Sequence, residues 1–269
     1  MSQSKTKKGV KRMETSKEVV EKKAAPPAVA TDLKSWGKRE IHATSVMIPR
    51  VLKMEFMSDK VKEGHAKFGE FRDSLSDEVV GTIDKPLVLI PIEVQEKWAI
   101  YDLVEKKGKT SREFREIVVV DGSNESWKYK ETGLERDRIM DVYCLLEEDL
   151  KNLPKNWKEL GLKPLPKIFG FRRTSLRAGK KLYTQMYITN QSKNLPPPAV
   201  TIEVSGKKVD GDLGTYIVLD TKPGRNATPD EMQLAFHWYQ AIKSGQTKAD
   251  ETELTQAEGS ADLSEVKDF

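Results

Sequence analysis

The residues of this 269-residue chain best suited to chemistry are cations interleaved with aromatic rings. In Ile168-Phe169-Gly170-Phe171-Arg172-Arg173-Thr174, an extended strand puts Phe169, Phe171 and Arg173 on one side and Arg172 on the other. Arg177, Lys180 and Lys181 follow within two helical turns. Rings stack on any nucleobase at ~1–3 kcal/mol each, while lysine and arginine neutralise phosphates without reading sequence. These seven side chains are therefore candidate contacts to a single nucleic-acid strand, with a hydrophobic core as the competing reading of the two phenylalanines. A second cluster, Trp127-Lys128-Tyr129-Lys130, follows the turn Asp121-Gly122-Ser123-Asn124. There Trp127 and Tyr129 share one face and the lysines the other, on a segment that the turn brings to the surface.

Enzymatic patterns are missing. His42, His65 and His237 are scattered, with no HExxH, CxxC or other ligand pair at metal spacing. Gly179-Lys180-Lys181 lacks the upstream glycine and the following Ser/Thr of a phosphate loop, and no Gly-x-Ser-x-Gly occurs. Acidic pairs such as Glu147-Glu148 are unremarkable where charged residues make up 33% of the chain. Cys144, the single cysteine, lies in the apolar run Val142 to Leu146 and reads as a buried, inert thiol. A protein without catalytic activity, cofactor or metal is expected.

The elements that must position the candidate residues are mostly strands. Leu87–Val94 carries Pro91 and suits an edge or a bulge. Lys97–Val104 and Phe114–Val120 flank Gly108 as a hairpin, and further strands are expected at 139–146 and Lys167–Arg173. Ser175–Ile188 has helical spacing weakened by Gly179. Strands 199–205 and 214–221 then bracket Asp210-Gly211, a strong hairpin signal. Thr228-Pro229-Asp230-Glu231 forms a capping box for a last helix, whose stripe is Met232, Leu234, Ala235, Trp238, Tyr239 and Ile242 and whose end is Gly245. Trp238 and Tyr239 are read as core or oligomer contacts. The fold class is β-rich α+β. Its element order fits an OB-like five-stranded barrel with extra N-terminal strands, an inserted helix and a C-terminal helix, although other small barrels and α+β folds share that order.

The ends differ from this body. Residues 1–35 hold nine cations against four acids and read as a disordered basic tail before a nucleic-acid-binding domain at 36–245. Residues 246–269 hold seven acids against two lysines and read as a disordered acidic tail. The net charge of +4 thus conceals two arms of opposite sign. No apolar run approaches the ~20 residues that span a bilayer, and the N-terminus has no hydrophobic signal segment. A cytoplasmic protein with no membrane contact is expected.

The tail ends in Ser264-Glu265-Val266-Lys267-Asp268-Phe269. With the block from Phe169 to Leu182, Gly214-Thr215-Tyr216 and Lys222-Pro223-Gly224-Arg225, it resembles phage single-stranded-DNA-binding proteins. The likeness covers roughly 86–269; the tail is less densely acidic than in the best-known examples, and 36–85 has no counterpart. The resemblance implies an OB fold, coating of ssDNA during replication and recombination in the host cytoplasm, and recruitment of replication or recombination proteins through Asp268 and Phe269. Homo-oligomerisation is an option. A phage virion or scaffold protein, in which the tails are assembly arms, and an RNA-binding module are the alternatives.

Overall fold

The computed structural model describes residues 47–56, 58–106, 109–127, 130–211, 214–245 and 248–249. Short elements come first: β1 (Met47–Ile48), β2 (Arg50–Lys53), the single turn α1 (Asp59–Lys62), and a hairpin of β3 (Glu70–Asp73) and β4 (Val79–Thr82). The long strands β5 (Leu87–Lys106) and β6 (Lys109–Val119) follow, then the short β7 (Lys130–Glu131) and β8 (Leu134–Leu146). After α2 (Glu147–Lys151), β9 (Lys167–Arg172) leads into α3 (Leu176–Tyr183). Without a break, α3 becomes a π-helical stretch at Thr184–Thr189 and then α4 (Asn190–Ser192). A second long hairpin, β10 (Val200–Gly211) and β11 (Gly214–Asn226), precedes α5 (Pro229–Lys243), and β12 (Lys248–Ala249) pairs with β1.

The strands form one mixed sheet in the order β11-β10-β5-β8-β9-β2-β3-β4, with β6 added to β5 and β7 to β8. Every pairing within this sheet is antiparallel except that of β2 with β9. Of the five strands expected of the barrel, β8, β9, β10 and β11 fall in one neighbour series, β11-β10-β5-β8-β9, with α3 between β9 and β10. The place expected for Phe114–Val120 is taken by β5, and β6 is added to β5 outside the series. They are not closed on one another. Strand β2 occupies the outer edge of β9, and the Ile168 N–H donates to the Pro49 carbonyl at 2.8 Å. Backbone groups paired in this way cannot also bond β11, so among the described residues the sheet stays open. The fold is therefore strand-rich with few helices and an open mixed sheet.

Both faces of the sheet's centre are covered, which is why Ile139–Leu146 reads as a nearly continuous apolar run. On one face Met140, Val142, Cys144 and Leu146 join Phe71, Phe169, Phe171, Ile202, Val204, Ile217 and Leu219, roofed by Ala178, Leu182 and Met186 of the inserted helix. On the other, Tyr143, Leu145, Ile90, Ile92 and Ile168 meet Leu234 and Ala235 of α5. Helix α5 starts at the expected capping box: the Thr228 hydroxyl accepts from the Glu231 N–H and the Glu231 carboxylate accepts from the Thr228 N–H.

Gly179 lets α3 reach its strands. A Cβ there would lie 2.8 Å from the Met140 sulfur and 2.9 Å from the Phe171 Cβ. The residue that weakens the helix locally is the one on which its docking depends. Gly179→Ala is expected to lower stability by about 1–3 kcal/mol through overpacking, a shift in the urea midpoint that chemical denaturation measures directly.

Candidate functional site

At the centre of the α5-facing side sits a buried ionic cluster. The Arg50 guanidinium bonds both oxygens of Asp141, one of them at 3.2 Å, and Lys97 Nζ lies 3.2 Å from Asp141 Oδ2. All three side chains are buried. Gly170 leaves room for the guanidinium, since a Cβ there would lie 3.1 Å from Arg50 Nη2. Burial alone would raise the Asp141 pKa, but the charges of Arg50 and Lys97 outweigh it and hold the carboxyl below its ordinary value. The cluster is enclosed, so its role is structural.

The first predicted group is split by the fold. Phe169 and Phe171 are core residues, 1% and 0% exposed, with their rings 5.0 Å apart under α3. This corrects the expectation that they stack on bases: the face they share is the one the inserted helix covers. Arg172 is half-buried, and Arg173 is exposed but bonded to Asp137, with Nη2 to Oδ2 at 3.0 Å. Arg177, Lys180 and Lys181 lie together on the open side of α3, where they line a shallow furrow with Thr184, Gln185 and Thr189. Lys181 Nζ meets Asp220 Oδ1 at 2.5 Å, whereas Arg177 and Lys180 have no ion-pair partner among the described residues. Helix α3 thus separates an apolar underside from a cationic outside, and only the latter can meet a ligand.

The second predicted group is also changed. Trp127 is half-buried, with the Arg136 guanidinium 4.6 Å from its ring centre and Trp98 6.3 Å away. Part of its surface is therefore already used by the protein. Lys130 belongs to β7, while Lys128 and Tyr129 lie outside the described residues, as do both tails with Asp268 and Phe269.

Other rings are exposed that the sequence did not assign to the site. Tyr183 is 39% exposed and packs against Tyr187 at 4.8 Å with the rings tilted by 41°, one turn further along the same helix. On α5, Phe236 is 58% and Tyr239 38% exposed. Tyr239 had been assigned to the apolar stripe, yet it points outward beside Phe236. The available signal was Phe236 itself, an aromatic standing off that stripe.

Cys144 is fully buried, and burial pushes its thiol far above the ordinary range. The His237 ring contacts Lys163 Nζ at 3.1 Å, and its pKa is lowered by burial and by that cation. Among the described residues, no group of His, Cys, Asp and Glu could hold a metal ion, and no helix is long and apolar enough to cross a membrane.

Residues 19–248, most of the chain and all of the long strands and helices among the described residues, match the model of a family described as Pam3 phage gp34-like protein. The chain belongs to this family. It is accordingly a phage protein, and the cationic helix, the capped Trp127 and the exposed rings all lie within the matched span. No curated protein and no solved structure matches it significantly.

Proposed function

We propose that this phage protein binds single-stranded DNA, coating it during phage replication or recombination in the host cytoplasm. The observation that carries the reading is the exposed cationic face of α3. Arg177, Lys180 and Lys181 stand together on it, and Arg173 follows β9 at the helix entry. A solvated cationic ridge on a rigid element gains affinity for a phosphate backbone by releasing counterions. The neighbour order β11-β10-β5-β8-β9 with a helix after β9 supports an OB-type barrel opened at one seam by β2. The exposed Lys207 and Lys208, on the hairpin joining its last two strands, add charge to the same kind of surface.

In this reading the acidic segment 250–269 competes with DNA for the cations, and Asp268 and Phe269 meet replication or recombination proteins. Removing 250–269 deletes seven acids and one lysine. It is expected to tighten oligo-dT binding at low salt and to have little effect at high salt, because the Debye length falls from about 30 Å at 0.01 M to about 3 Å at 1 M. Equal affinities for the two forms at low salt would show that the segment does not compete.

The function itself is tested by titrating the full-length protein with labelled oligo-dT, oligo-U and a duplex of equal length. Preferential binding of oligo-dT is expected. Preference for oligo-U would make it an RNA-binding module, and no binding to any of them would favour a virion or scaffold role.

A further inference from the structure

Exposed rings and cations on two helices form a track in two halves, joined through neighbouring residues of β5. It begins at Lys180 on α3 and passes to Tyr183, whose ring packs against Tyr187 at 4.8 Å, tilted by 41°. The Tyr187 hydroxyl accepts the Val94 N–H at 3.3 Å, and Lys243 Nζ bonds the adjacent Glu93 at 2.5 Å. Both anchors lie just after the point where β5 slips register against β8, between Pro91 and Glu93. Neighbouring residues of one strand thus anchor both the π-helical stretch and the end of α5. From Lys243 the track continues to the Tyr239 ring, 5.7 Å away, and on to Phe236, whose ring lies nearly parallel to Tyr239 at 6.5 Å and 23°.

A π-helical stretch of this kind is uncommon and is often found where function needs it. Here it carries Tyr187 to β5 and leaves Tyr183 exposed. Resting on the function proposed above, we propose that this track is the base-stacking surface for single-stranded DNA. Bases lie on Tyr183 and on the Phe236–Tyr239 pair, and Lys180 and Lys243 hold the intervening phosphates. The alternation of cation and ring argues for this occupant, since an apolar protein partner has no use for ammonium groups set between the rings. Lys243 keeps Glu93 as a partner, so it contributes less charge than Lys180.

The test uses the full-length protein, the double variant Phe236→Ala/Tyr239→Ala and the single variant Tyr183→Ala. All three rings are substantially exposed, so folded variants are expected, with circular dichroism as the check. Oligo-dT affinity is expected to fall about 5- to 150-fold for each stacked base lost, with an unchanged salt slope because rings release no counterions. Wild-type binding with undiminished affinity in both variants would overturn the track while leaving the DNA-binding function intact. No binding by the wild type would overturn both. Variants that bind DNA normally but change the oligomeric state in light scattering would assign the rings to a contact between copies of the chain instead.

Discussion

Replacing Arg50 with methionine is expected to cost about 3–5 kcal/mol of stability, the typical consequence of removing one partner from a buried ion pair. Methionine fills much of the space but leaves Asp141, fully buried, with Lys97 alone. Chemical denaturation should show a much lower midpoint with an unchanged slope, whereas replacing Lys60, whose pairing with Asp77 is exposed, should shift it little. The loss should also depend on pH. Asp141 titrates below its ordinary value in the wild type, so its contribution is complete above the ordinary carboxylate range and is lost as pH falls through the lowered value. In the variant one stabilising charge is gone and burial dominates, which raises the carboxyl pKa. The gap between wild type and variant should therefore narrow on acidification. A constant gap would mean that Asp141 does not carry the charge assigned to it.

How much of this could be read beforehand depends on how many residues repeat a signal. The β10–β11 hairpin and the last helix were legible because long runs alternate or recur beside strong local chemistry. The Thr228–Glu231 box caps the helix, whereas Asp210 and Gly211, read as the turn, pair with Thr215 and Gly214 within the strands. Strands β2, β3 and β4 were not, because four residues carry too little periodicity to stand out. Strand β5 reads as two segments, whereas it is one strand of 20 residues whose bulge accommodates Pro91.

The site divides in the same way. Alternation correctly put Phe169 and Phe171 on one face but could not say that a helix would lie over that face. The cations on α3 were legible because a helix that buries Ala178 and Leu182 must turn Arg177, Lys180 and Lys181 outward. The track of rings was not legible, since Tyr183 and Phe236 are 53 residues apart and their helices are joined only through Tyr187 and Lys243, bonded to two adjacent residues of a third element.

The second large effect is on binding, and it tests the central claim that the α3 face holds a phosphate backbone. In Arg177→Ala/Lys180→Ala/Lys181→Ala, three cations leave a helix whose buried side is untouched, so folding should be preserved. Each phosphate contact on a single strand contributes about 0.7 to the slope of log affinity against log salt. The decisive measurement is oligo-dT affinity of the wild type and of this triple variant, each across about 50 to about 200 mM salt. The wild type should bind with a steep salt dependence, and the variant should bind far more weakly with a slope shallower by about 2, three contacts at about 0.7 each. A folded triple variant that keeps both the affinity and the slope of the wild type would contradict the account.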